Sequence, residues 1–181
     1  DFHEGGIFTT WTRPDYFNVD SMVDAHGNVP IDLMESGFSM MAPVQRLTKW
    51  LEVFRRVDDP EFVTTFLAME AWAADNVPFP GELYRQYIKD CYQENNFFHG
   101  RMVVGGRTVD LANITCSLLT LIADKDTIAP PPSSLALAAR VGSQDQTTMR
   151  FDVGHIGLST SSKGPRLIWP KIAAWLAERS K

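Results

Sequence analysis

Cysteine is scarce: the 181 residues hold only Cys91 and Cys116. Two cysteines with no secretory leader pattern make a disulfide framework a poor reading. A reducing cytoplasm is the expected setting. No apolar run approaches the roughly 18 residues of a membrane span. The opening DFHEGG is polar and acidic and has no signal-peptide pattern. The chain starts at Asp1 rather than Met, as expected of a processed chain or a piece of a longer polypeptide. Basic residues are outnumbered, 17 to 22, for a net charge of −5. With no basic stripe, nucleic acid is not the expected partner. VVGGRT lacks the third glycine and the following helix of a dinucleotide fingerprint, and no phosphate loop occurs. His3, His26 and His99 have no metal-ligand spacing. No cofactor and no metal site are therefore expected.

What is present is an ordinary globular composition, 44% hydrophobic and 22% charged. The charge is uneven. Residues 1–100 hold 7 basic and 16 acidic residues, and residues 101–181 hold 10 and 6. Two parts with different surfaces are expected, divided near residue 100.

The first part reads as helices joined by short turns. IDLMESGFSMM follows Pro30, with apolar residues at three- and four-residue spacing. Residues 44–57 carry the stripe Val44, Leu47, Trp50, Leu51, Phe54 and Val57, with Arg46, Lys49, Arg55 and Arg56 mostly off it. Asp58 and Asp59 before Pro60 predict a cap and a first-turn proline for a helix over residues 60–75. A fourth helix follows FPGE.

Near residue 101 the pattern changes. RMVVGGRTVDL predicts a hairpin around Gly105 and Gly106. NITCSLLTLIAD reads as a strand buried on both faces, as in a parallel sheet. A loop, a small helix closed by Gly142, the strand TTMRFDV, the loop GHIGLSTSSKG and an amphipathic helix from about Pro170 complete the chain. This alternation predicts the α/β class with a parallel sheet.

In open α/β sheets, functional residues gather beyond the carboxyl ends of the strands. One such loop offers Asp124 and Asp126, and the next offers His155 between Gly154 and Gly157. An acid after one strand and a histidine after the next is the order in which an α/β-hydrolase supplies two members of its triad. The carboxylate holds the imidazole in the right tautomer, and the imidazole takes the proton of a nucleophile. The glycines are expected to let the backbone turn sharply beside His155. Asp126 capping a turn before the prolines, and Asp124 as the acid instead, are the competing readings. The nucleophile is missing. Neither Gly-x-Ser-x-Gly nor Gly-x-Cys-x-Gly occurs, and Cys91 and Cys116 both read as small core residues.

At this point the chain resembles the C-terminal part of the polyhydroxyalkanoate synthases, polyester polymerases with an α/β-hydrolase fold. The carrying segments are DFHEGGIFTTWTRPDYFNVDSMVDAHGNVP, FLAMEAWAADNVPFPGELYRQYIKDCYQENN, GGRTVDLANITC, DKDTIAPP, GHIG and PKIAAWLAER, in family order over nearly the whole chain. The stretch with Trp72, Asp75, Pro80, Gly81, Tyr84 and Asn95 is not a general hydrolase feature. The likeness is greatest to the short-chain, two-subunit types (classes III and IV).

The resemblance implies an acyltransferase that polymerises (R)-3-hydroxyacyl-CoA and releases CoA. It implies a catalytic triad of cysteine, aspartate and histidine, with Asp126 and His155 as the last two. The cysteine lies upstream of the stretch that begins at Asp1 and is absent from this chain, which predicts no activity for these residues alone. Residues 1–100 correspond to a helical cap or lid, and 101–181 to the C-terminal part of the hydrolase core. Trp72 is a candidate for lining an apolar path for substrate or polyester, with plain packing in the cap as its alternative. The resemblance also implies a homodimer, a second synthase subunit as partner and a place at the surface of polyester granules. Two positions depart from the family pattern: Ser117 stands where proline usually follows the cysteine, and Thr127 where many members have histidine. Two further readings stand beside this one: a thioesterase or polyester depolymerase, with a serine elbow upstream, and a truncated inactive fragment or interaction module.

Overall fold

Asp59 and Pro60 show how the helical part is punctuated. The Asp59 carboxylate accepts a hydrogen bond from Phe62 N at 3.0 Å, and Pro60 follows as the first helical residue. The computed structural model describes residues 1–41 and 43–180, the side chains at 43 and 45–47 excepted. It divides the chain into two packing units, residues 19–85 and residues 1–18 with 86–181. The organisation expected from charge and resemblance divides at residue 100; the packing units divide at 18/19 and 85/86.

The unit of residues 19–85 is helical. It contains α2 (Val19–His26), α3 (Ile31–Met41), α4 (Pro43–Arg55), α5 (Pro60–Ala74) and most of α6 (Gly81–Gln86). Val19, Val23 and Val29 are buried, and Val29 bridges Phe79 through the backbone. Gly81 is required by close approach: a Cβ there would fall 1.7 Å from the Gly27 carbonyl oxygen. Arg85 draws Asp24, Glu82 and Asp20 around one guanidinium. These carboxylates hold its pKa above the ordinary arginine value. Lys49 on α4 bonds Glu70 on α5 at 2.7 Å, and the Trp50 and Phe66 rings meet edge to face.

The described side chains of the α4 stripe are exposed, Trp50 keeping one edge against Phe66. Val44, Trp50, Leu51, Phe54 and Val57 are all exposed. The expected stripe member Leu47, and Arg46 beside the stripe, lie outside the described side chains.

The other unit holds α1 (Ile7–Trp11), a π-helical turn (Tyr87–Gln93) continuing α6, and α7 (Asn96–His99). The hairpin forms as β1 (Val103–Val104) against β2 (Arg107–Thr108), with Gly105 and Gly106 both at positive φ. β3 (Leu118–Ala123) and β4 (Gln146–Phe151) pair in parallel, with Leu118 opposite Gln146 and Ala123 opposite Phe151. Between them lie α8 (Pro131–Leu135) and a 3-10 turn (Ala136–Ala139). After β4 come α9 (Gly157–Thr160), a second π-helical turn (Gly164–Ile168) and α10 (Trp169–Arg179). The mixed α/β class with a small parallel sheet is thus present.

The core of this unit is Ala123, Phe151, Val153 and Ile168, with Leu121, Met149, Leu158 and Ile172 packed against it. Ile168 is fully buried, which contributes about 2–3 kcal/mol by its removal from water. α10 is fastened across β4: Trp175 Nε1 donates to Thr147 Oγ1 at 3.0 Å, and Arg179 bonds Asp145 at 2.6 Å.

Two expectations need correction. The strand expected to be buried on both faces is buried only at Ile122 and Ala123. β3 has only β4 beside it among the described residues, so Leu118 to Leu121 stay partly exposed. Cys116 is exposed, not a core residue. The chain ahead of β3 turns instead of extending, because Asp110 caps a 3-10 turn at Leu111–Asn113 through Ala112 N, and the strand starts only at Leu118.

Candidate active site

The β3 and β4 strands pair beyond their ends. Asp124 N donates to Phe151 O at 2.9 Å, and Lys125 N to Val153 O at 3.0 Å. The loops after the two strands therefore leave the sheet side by side, and both carry chemistry.

Asp126 and His155 meet there. His155 Nδ1 lies 2.8 Å from Asp126 Oδ2. The Asp126 side chain is only 8% exposed, whereas His155 is 45% exposed. The other carboxylate oxygen, Oδ1, accepts from Ile128 N and Ala129 N, each at 2.9 Å. Asp126 thus caps its own turn with one oxygen and faces the imidazole with the other. A carboxylate offers only acceptors, so Nδ1 is the donor, and the Nε2 lone pair is left on the open side of the ring. Among the described residues, Nδ1 is the ring atom with a hydrogen-bond partner.

Asp124 points elsewhere. Its Oδ1 takes Arg150 Nε at 2.8 Å and Nη2 at 2.6 Å. The rival acid is thereby engaged by a cation on β4.

The glycines beside His155 do not serve the sharp turn expected of them: neither Gly154 nor Gly157 has a positive φ. Gly157 is needed for packing instead, since a Cβ would sit 2.9 Å from Val153 Cβ. At Gly154 a Cβ would make only an ordinary contact, 3.9 Å from Lys125 O.

The remaining candidates are Trp72 and Cys91. Trp72 is on α5 in the other packing unit and is 63% exposed. Cys91 is buried in the first π-helical turn, and burial pushes its thiol up to about 11, which leaves little thiolate at neutral pH. The structure thus brings Asp126 and His155 together and leaves Cys91 unsuited to be the nucleophile.

The turn-capping reading of Asp126 holds as well, and what the sequence reading did not name is its donors, the Ile128 and Ala129 amides. Their signal was available in DTIAP, where an aspartate precedes its own turn and a proline closes it. Among the described residues there is no group of three side chains able to hold a metal, and no helix is long and apolar enough to cross a membrane.

No protein-family model matches the chain, and no solved structure gives a significant match. Curated proteins do match. The chain is 36% identical over 179 residues to the poly(3-hydroxyalkanoate) polymerase subunit PhaC of Haloarcula marismortui, covering 98% of this chain and 38% of that protein. It is 41% identical over 175 residues to the subunit of the same name from Allochromatium vinosum, covering 96% and 48%. Over 164 residues it is 43% identical to that of Synechocystis sp., covering 90% and 43%. The chain spans less than half the length of each of these relatives. By sequence it belongs with the poly(3-hydroxyalkanoate) polymerase subunits, as a counterpart of their C-terminal part.

Proposed function

We propose that Asp126 and His155 are the acid and base of an acyl-transfer site that builds a polyester from (R)-3-hydroxyacyl-CoA. The carrying observation is the 2.8 Å contact between His155 Nδ1 and a buried carboxylate, on an imidazole whose other face is open. The nucleophile would be a cysteine from outside these 181 residues, in keeping with the absence of an elbow motif here. The fold in which the pair works would be that of an α/β-hydrolase, its helical first part serving as cap.

The chemistry follows from the residue types. His155 Nε2 takes the thiol proton, and the thiolate attacks the thioester carbonyl. The tetrahedral intermediate collapses, CoA leaves with a proton returned by the imidazolium, and an acyl-enzyme remains. The imidazole then takes the proton of a 3-hydroxyl, whose oxygen attacks the acyl-enzyme and frees the thiol. Throughout, Asp126 holds the tautomer and stabilises the charged ring. The homodimer, the second subunit, the granule surface and a path along Trp72 belong to the same proposal for the whole polymerase.

The test uses a parent polypeptide that contains the upstream cysteine. His155→Ala is expected to reduce CoA release by at least about a thousandfold. Normal release from that variant would sink the assignment.

A further inference from the structure

Two glycines near the start of the chain have no role in the site described so far. Gly5 and Gly6 both sit at positive φ, +114° and +97°. They pack against the loop that carries Asp126. A Cβ on Gly6 would lie 3.2 Å from Ile128 O and 3.4 Å from Pro130 Cδ. A Cβ on Gly5 would make only an ordinary contact, 3.7 Å from Pro130 Cγ.

The Ile128 carbonyl belongs to the same peptide plane as the Ala129 N–H. That N–H donates to Asp126 Oδ1 at 2.9 Å. A peptide plane is rigid, so pressure on its oxygen edge moves its N–H edge. Gly6 therefore abuts one side of the unit whose other side orients the carboxylate.

The glycine segment is itself held. Thr9 Oγ1 donates to Phe2 O at 2.6 Å and to Gly5 O at 2.9 Å. Asn95, 1% exposed and at φ +53°, accepts from Phe2 N at 3.3 Å and donates to Asp1 Oδ1 at 2.6 Å. Phe2 also meets the Tyr92 ring edge to face, with centroids 4.9 Å apart. A non-glycine residue at positive φ is strained and persists only where its surroundings impose it.

We propose that the segment of Gly5 and Gly6, anchored by Thr9 and Asn95, is a brace that positions the Asp126 carboxylate for His155. Gly6 is a positioning residue: it acts through the peptide between Ile128 and Ala129. The functional weight of this brace rests on the reading of Asp126 and His155 as acid and base.

The experiment compares Gly6→Ala with Gly5→Ala in a parent polypeptide that contains these 181 residues. Both add a methyl at positive φ, but only Gly6→Ala presses on the Ile128 carbonyl. Two readouts are taken: amide hydrogen exchange over residues 126–130 by mass spectrometry, and the nuclear magnetic resonance of the His155 Nδ1 proton, which reports its hydrogen bond to Asp126. In Gly6→Ala, amide exchange is expected to rise about tenfold, and the His155 Nδ1 proton resonance to move upfield as its hydrogen bond to Asp126 lengthens. In Gly5→Ala, which adds strain at positive φ but no pressure on the Ile128 carbonyl, both are expected to move less than in Gly6→Ala. Should Gly6→Ala fail to fold, Thr9→Val loosens the same segment without adding strain, and faster exchange at residues 128 and 129 is expected. The brace is refuted if Gly6→Ala (or Thr9→Val in its place) leaves both readouts unmoved, or if Gly5→Ala moves them equally. Neither readout needs catalysis. A parent polypeptide that turns over normally with His155→Ala would overturn the catalytic reading and leave the brace standing.

Discussion

Arg150 holds Asp124 in a two-nitrogen grip, at 2.6 and 2.8 Å, on the strand that leads to His155. Of the two carboxylates after β3, one is neutralised by its neighbour and the other faces the imidazole. The consequence is a division of labour between residues only two positions apart.

That division predicts unequal costs. Asp126→Ala strips the acceptor from two backbone N–H groups and from His155, and is expected to destabilise by about 2 kcal/mol. Asp124→Ala removes a half-exposed ion pair and is expected to cost about 0.5 kcal/mol. Urea denaturation of the two variants checks this; equal losses would contradict the assignment of Asp126 as the structural centre of the loop.

Acid should loosen the fastening of α10. The Arg179 guanidinium, with help from the Ser117 hydroxyl, holds the Asp145 carboxyl down at about 2. A depressed carboxyl stabilises the fold above its unfolded pKa, near 3.9. That contribution disappears as pH falls from about 4 toward 2. Asp145→Asn should therefore lower Tm at pH 6 and converge with the unaltered chain near pH 2. Parallel curves across that window would argue against the pairing.

The cysteines should react one at a time. Cys116 is exposed, while Cys91 is buried with its thiol pushed up to about 11. A thiol reagent at pH 8 is expected to modify Cys116 in the folded chain within minutes and Cys91 only after denaturation. Rapid modification of both in the folded chain would refute this.

The chain alone should self-associate. Among the described residues its parallel sheet has two strands, with no further strand on either edge. On the helical unit, Trp50, Phe54, Leu67 and Trp72 are all exposed. Light scattering is expected to show dimers or larger species at micromolar concentration, and a clean monomer would overturn the expectation.

The sequence made some of this plain and hid the rest for physical reasons. The start of α5 was readable because Asp59 and Pro60 act locally, by a cap and a fixed φ. The pairing of β3 with β4, and of the loops after them, followed from the alternation of apolar runs with helical segments. Cys116 was misplaced because an apolar run says nothing about a cap at Asp110 that turns the chain before the strand begins. The π-helical turn at Tyr87–Gln93 was invisible because its apolar spacing is also that of an α-helix. Local rules left Asp124 as a rival to Asp126, and only the resemblance favoured Asp126, since the pairing of Asp124 with Arg150 is made across the sheet. The use of Gly157 likewise depended on Val153, a contact that no local rule contains.

Asp126 and His155 are only 29 residues apart, joined by a single strand–helix–strand crossover. The contact is local by the standards of a parallel sheet, and local contacts form early in folding. The pair can then assemble as one cooperative piece, whereas the Gly6 brace has to wait for a distant stretch of chain to arrive. On this ordering the Asp126–His155 contact forms before the one between Gly6 and the Ile128 carbonyl.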